Sequence, residues 1–433
     1  MPEATKTDVG SYFISNYPPF SAWSKDAVAD ARDALAAPPR ADTPLGLYLH
    51  LPFCRKRCKF CYFKVFTDKN ASEVERYLAA LSQEIELVSR QPVMGDRPFR
   101  FVYFGGGTPS FLSSRQLNRL VDRLRESIDW SLAEEVTFEC EPGTLSEAKV
   151  ATLREIGVTR LSLGVEHWDD AILRDNGRAH ESREIDRAWP WIAAAGFDNV
   201  NVDLIAGMVG DTTDKWRDAV ERTLQMGADS VTIYQMELPY NTVFSQGVLA
   251  GEESPVATWE QKRDWVSWAF DRFLQAGYEQ SSAYTVVKPG GVFSYRDNLW
   301  RGSDLLATGI ASFGHASGVH YQNLPEWEAY LSPLEADEPS LPVGRALRLT
   351  QDQALIREII LQLKRGRLDR AYFRQKFDVD IVDRWRAAWD AHAAEGCLSI
   401  GEQTVELTRD GLLRVDALLP AFFESEHRGV RYT

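Results

Sequence analysis

Three cysteines, Cys54, Cys58 and Cys61, fall within eight residues in the order C-x3-C-x2-C. Thiolates at that density hold a metal ion or an iron–sulfur cluster. The chain has five cysteines, with Cys140 and Cys397 far from the rest, and an odd count makes a poor disulfide framework. A structural zinc site asks for four ligands, usually in two knuckles. No second Cys/His pair here has suitable spacing. Three thiolates suit three irons of a four-iron cluster, with one iron left open to a further ligand. Arg55, Lys56, Arg57 and Lys59 interleave with the cysteines. Cations so placed are expected to lower the thiol pKa values and offset cluster charge.

Such a loop needs a scaffold, and the surrounding pattern supplies one. Leu45–Leu51 reads as a strand, and Ala71 to Arg90 repeats apolar residues at helical spacing. The alternation continues through strands at 101–104, 136–140, 160–164, 200–205 and 230–236, with helices between them. Strands alternating with helices imply a parallel sheet covered by helices. Ligands bind at the carboxyl ends of such strands, in an open sheet or a barrel alike. Polar candidates collect there: Gly105-Gly106-Gly107 after the second strand, Glu139 on the third, Glu166 after the fourth and Asp203 in the fifth. After about Glu279 the rhythm fails, and Gly and aromatic residues dominate to about Asn323. From Leu349 the pattern turns helical and closes with a short hairpin near 398–407, in the manner of a winged helix. The expected division is an arm at 1–44, a barrel at 45–280, an extension at 281–345 and a C-terminal domain at 346–433.

The run Tyr48-Leu-His50-Leu-Pro52-Phe53-Cys54, with Cys58, Phe60 and Cys61 following, resembles the signature of radical S-adenosylmethionine (SAM) enzymes. More narrowly it resembles the oxygen-independent coproporphyrinogen III oxidase family, over nearly the whole chain. The resemblance implies an α/β fold, a partial (β/α)6 TIM-like barrel with an N-terminal arm and a helical, winged-helix-like C-terminal domain. It implies a [4Fe–4S] cluster on Cys54, Cys58 and Cys61, whose open iron binds SAM and whose reduction yields a 5′-deoxyadenosyl radical. It also implies SAM contacts from Tyr48, Gly106, Gly107, Thr108, Glu139, Glu166, Arg178 and Asp203. Trp300, Arg301 and Phe313 lie where the oxidase places residues against a second SAM, so two SAM molecules are expected.

Departures from the family bear on the substrate. A fourth cysteine of the oxidase, two residues after the third, is Phe63 here, and a usual Gln after the fourth strand is Glu166. Glu166 is read as a base or a ribose contact. His315, beside His320 in a Gly-rich loop, is read as structural or as a proton donor or acceptor at the substrate. This drift favours the class C methyltransferase and cyclopropanase branch: methyl or methylene transfer to an sp2 carbon of an aromatic or heteroaromatic molecule. Trp23, Trp300 and Phe313 suit a flat substrate. Porphyrin decarboxylation or haem modification is the alternative, and a non-catalytic haem chaperone another. A reductase or flavodoxin-type electron donor is the expected partner.

The 433 residues carry a net charge of −14. A chain this acidic is a poor candidate for binding nucleic acid through a broad basic surface. No apolar run reaches the roughly 18 residues that span a bilayer. The polar stretch from Met1 to Gly10 lacks the apolar core of a signal peptide, so a cytoplasmic protein is expected.

Overall fold

In the computed structural model, residue 7, residue 9 and residues 13–430 are described. Six apolar segments form parallel strands in sequence order: β1 (Leu45–Leu51), β2 (Phe99–Gly106), β3 (Glu135–Cys140), β4 (Arg160–Glu166), β5 (Asn199–Ala206) and β6 (Ser230–Gln235). Helices cover their outer face, while along β3–β6 polar residues alternate inward: Thr137 and Glu139, Ser162, Asn201 and Asp203, and Thr232. The helices begin where the chain offers caps. Asn70 accepts the backbone N–H groups of Ser72 and Glu73, and Glu73 returns a bond to the Asn70 N–H, opening the helix Ala71–Ser89. Ser113 with Gln116, and Thr258 with Gln261, do the same for the helices Ser114–Arg125 and Trp259–Gln275.

The barrel remains partial, and the region expected to lose its rhythm adds strands instead. These are β7 (Glu279–Gln280), β8 (Thr285–Val287), β9 (Asp304–Thr308), β10 (Phe313–Ala316), β11 (Val319–Asn323) and β12 (Val343–Arg348). The twelve-stranded order is β12-β11-β10-β9-β1-β2-β3-β4-β5-β6-β8-β7. β9 lies parallel to β1 on its free edge, and β8 runs antiparallel to β6. Strands this short carry too few residues for periodicity to reveal them. Glu84 pins the extension to the barrel: its carboxylate accepts the Gly309 N–H (2.8 Å), the Asn323 amide (2.6 Å) and the Tyr330 hydroxyl (2.6 Å).

The C-terminal domain has the expected helices and hairpin. A helix, Gln351–Leu363, precedes β13 (Arg367–Asp369), and β14 (Leu398–Ile400) with β15 (Thr404–Leu407) complete a three-stranded sheet, β13-β15-β14. Its core, around Trp389, Phe373 and Leu368, also takes in Ile14 and Tyr17 from the arm. Trp23 stacks on His320 at 5.0 Å, and Ser24 bridges to Ala346 of β12. The arm is thus part of the packing; Tyr12 lies outside the described residues.

Candidate functional site

The carboxyl ends of β1–β6 open into a cavity of about 770 Å3. Its floor is the loop after β1, which carries Cys54, Cys58 and Cys61 to one wall. The loop is held by backbone bonds: Cys54 N–H to Phe66 O (3.0 Å), Cys61 N–H to Cys58 O (3.2 Å) and Lys59 N–H to Asn176 O (3.0 Å). The Thr108 hydroxyl donates to Cys54 Sγ at 3.4 Å, and Arg178 Nη1 to Cys58 Sγ at 3.4 Å. The expected lowering of thiol pKa is not found at two of the cysteines. Burial pushes Cys54 up to about 11 and Cys61 up to about 12. Arg55, which was to have helped, turns away: it grips Glu141 through Nε (3.0 Å) and Nη2 (2.8 Å) and donates to Ala179 O.

Three thiols converge on one wall, burial favours the protonated form at Cys54 and Cys61, and the irons of a cluster would supply the positive charge that makes them thiolates. The thiols and their neighbours therefore fit the group. Arg178 adds to the fit: its Nε is buried without a hydrogen-bond partner among the described residues, a ready donor for a carboxylate.

The strand ends bring together most of the residues expected to hold SAM. Gly106, Gly107, Thr108, Glu139, Glu166, Arg178 and Asp203 all line the cavity. The glycines serve the protein's own packing first. Gly106 has φ +113°, and a Cβ there would lie 2.6 Å from the His50 ring; one on Gly107 would lie 2.8 Å from the Pro52 carbonyl carbon. That packing seats the cysteine loop against β2, with Gly107 N–H bonded to Leu51 O (2.9 Å) and Thr108 N–H to Phe53 O (2.8 Å).

Glu139 accepts the Tyr103 hydroxyl (2.7 Å) and the Gly106 N–H (3.1 Å), and burial holds its carboxyl up at about 7. Asp203 is raised by burial too and accepts from Ser162 (2.8 Å) and Asn201 (2.9 Å). Glu166 ends β4 where the register with β5 slips, and its backbone is left-handed at φ +63°. For a residue with a Cβ that conformation is strained. The turn places its carboxylate 3.5 Å from Arg178 Nη2, which also donates to Gly164 O at 2.9 Å. Burial lifts the Glu166 carboxyl to about 7 against the opposing pull of Arg178.

Five expected residues do not line the cavity. Tyr48 lies deeper in the barrel, its hydroxyl paired with His50 Nδ1 at 3.2 Å. His315 and His320 are direct partners across the β10–β11 hairpin, so both rings share one face beneath Trp23. Their Nδ1 atoms lie 3.1 Å apart, and burial keeps both rings well below the usual histidine pKa. Phe313 packs on Phe20 at 4.3 Å and on Trp23 at 5.6 Å. Trp300 is buried in the second core under Arg296, and the Arg301 carbonyl accepts from Lys376 at 2.7 Å.

The aromatic arm was expected to lie over the site, and Phe13 and Ile14 do line the cavity. The sequence reading missed the C-terminal part of the roof, Leu413, Arg414, Val415, Asp416 and Phe423. No local pattern marks these five, because each meets the strand ends only through the tertiary fold.

Residues 48–223 match the model of the radical SAM superfamily. That stretch holds the three-cysteine loop and the strands β2–β5, so these residues form a radical SAM domain. Its relatives narrow the setting. It is 27% identical to the oxygen-independent coproporphyrinogen III oxidase of Escherichia coli (strain K12), over 88% of this chain and 86% of that one. It is 25% identical to the haem chaperone HemW of Bacillus subtilis (strain 168), over 87% of this chain and 98% of that one. The solved structure of coproporphyrinogen III oxidase (HemN) from Escherichia coli shares the fold, with a TM-score of 0.82 and 24% identity over 95% of this chain and 96% of that chain. These relatives are oxidases and haem chaperones, so the expected methyl or methylene transfer gains no support from them.

Proposed function

We propose that this enzyme acts on a tetrapyrrole, in the manner of an oxygen-independent coproporphyrinogen III oxidase. The observation that carries this is the cavity. It joins the cysteine loop to a largely apolar roof built from the C-terminal domain and the arm, and the oxidases align with 88–94% of the chain, that domain included. In this reading residues 45–280 form the barrel, 281–345 its extension and 346–433 the cover, with 1–44 as an arm beneath it.

Cys54, Cys58 and Cys61 would hold a [4Fe–4S] cluster, which with SAM supplies one-electron chemistry in the closed site. Arg178 would orient the SAM carboxylate with paired donors, since its guanidinium already faces the thiol of Cys58. Asp203 and Glu166 would accept from hydroxyls of the nucleoside. Glu139 holds the backbone of Gly106 in place through its N–H. The roof excludes water from the reacting atoms. A reduced electron-transfer protein would deliver the electron.

The test is anaerobic incubation of the reconstituted, reduced protein with SAM and coproporphyrinogen III. Release of carbon dioxide with formation of vinyl side chains is expected. Stoichiometric haem binding without SAM consumption would move the protein to the chaperones instead, and deuterium passing from methyl-labelled SAM into a product would restore methyl transfer.

A further inference from the structure

The far end of the cavity is unlike its floor. Two carboxylates, Glu237 just past β6 and Asp416 in the roof, line it. Asp416 is fully engaged: Oδ1 accepts the Ile14 N–H (2.9 Å) and Lys364 Nζ (2.7 Å), and Oδ2 accepts the Tyr284 hydroxyl. Glu237 is engaged differently. It accepts the backbone N–H of Phe13 and feels Lys262 and Lys364 at a distance. Both lysines spend their protons elsewhere, Lys262 on Thr7 Oγ1 (2.7 Å) and Met236 O (2.5 Å), Lys364 on Ile14 O (2.5 Å) and Asp416. Burial and the neighbouring Asp416 hold the Glu237 carboxyl up at about 8.

The walls around this acceptor are aromatic. Tyr62 and Phe63 stack at 4.5 Å, and Phe13 meets Tyr284 edge-on at 5.5 Å. Phe63 stands where the oxidase family has a cysteine, so its ring widens this apolar wall. An acid among flat rings receives a flat or cupped ring system that brings N–H donors. Ionised, above about pH 8, it repels a ring's carboxylates, and Arg263 and Arg414 elsewhere in the lining offer them cations.

We propose that Glu237 anchors the pyrrole N–H groups of a reduced tetrapyrrole, and so selects porphyrinogens over metalloporphyrins. The inference rests on the tetrapyrrole reading above. A porphyrinogen has four pyrrole rings on flexible saturated bridges, so its N–H groups can turn to one face and converge on one carboxylate. A metalloporphyrin has no N–H at all, and binding it would leave the buried carboxyl with the Phe13 N–H as its one close donor among the described residues. Buried acceptors left without donors are what gives a polar site strong discrimination.

Two ligands and two variants test this with the full chain, anaerobically and at pH 9, where Glu237 is ionised, by equilibrium binding. Coproporphyrinogen III carries the N–H groups. Copper(II) coproporphyrin III carries the same four carboxylates, no N–H, and a metal that favours square-planar coordination. Wild-type protein is expected to prefer the porphyrinogen by tenfold or more. Glu237→Leu should weaken porphyrinogen binding about 10- to 150-fold, the range of a lost charge-assisted bond. Glu237→Gln, which keeps a neutral acceptor, should fall between, and binding of the copper porphyrin should change little in either. Porphyrinogen binding unchanged in both variants overturns the anchor and leaves the tetrapyrrole reading standing. Equal losses for both ligands overturn it too, showing that Glu237 supports the cavity and not the donors. If wild-type protein binds no porphyrinogen, both readings fall together.

Discussion

Among single residues, the cysteines were the most legible and Glu166 the least. Spacing alone marks Cys54, Cys58 and Cys61, because ligand chemistry is written in a short loop. Replacing all three with Ala should abolish iron loading and the visible iron–sulfur absorbance, while Cys140→Ala, at the end of β3, and Cys397→Ala, in the C-terminal domain, should keep them. A triple variant that still takes up four irons would end the assignment. Arg178 was legible as a carboxylate partner, but its contact with Cys58 Sγ was not. Arg178→Ala should therefore act twice. SAM affinity should fall by about 1.5–3 kcal/mol, the worth of a charge-assisted bond, and the cluster's midpoint potential should move to more negative values as a cation leaves its ligand. Calorimetry and a potentiometric titration read the two effects separately. What no sequence pattern could carry is the left-handed backbone of Glu166, which follows from a register slip between β4 and β5. Nor could spacing show that burial outweighs the loop's cations at Cys54 and Cys61.

Among elements, the six parallel strands were readable because each runs six to eight residues with apolar side chains recurring along it, between helices of clear periodicity. β9 to β11 were not, being four or five residues each. That shortfall explains His315. On the page it is a histidine in a Gly-rich loop; in the hairpin it is the cross-strand partner of His320 and is covered by the arm. The join between extension and barrel carries a pH signature. Burial pushes the Glu84 carboxyl up to about 7, whereas an unfolded chain releases that proton near its ordinary value of 4.5. The folded state thus holds a proton that the unfolded state has lost. The stability this confers is complete below about 4.5 and is lost as pH rises through 7, about 3 kcal/mol in all. Melting temperatures taken between pH 4.5 and 7.5 should show a flatter profile for Glu84→Gln than for wild type, whatever the variant's absolute stability. Parallel profiles would show that the network keeps Glu84 ionised.

At the scale of the molecule, the cavity is closed by parts of the chain that no local reading connects. Asp416 in the C-terminal domain takes Ile14 of the arm, Lys364 of the neighbouring helix and Tyr284 of the extension. Lys364 is fully buried, so removing its partner strands a cation. Asp416→Ala should cost about 3–5 kcal/mol, and Asp416→Leu with Lys364→Met should recover much of it, since an apolar pair suffers no desolvation. Chemical denaturation of the two proteins decides this; equal losses in both would show that the roof draws its stability from elsewhere. The same closure sets an order for biosynthesis. Translation runs from the cysteine loop at 54–61 through the last barrel strand, β6, well before residues 413–423 are made. A nascent chain can therefore complete its parallel strands while the top of the site still lies open to the solvent. Cluster delivery has a natural interval then, before the last residues leave the ribosome and the lid is laid down over the thiols.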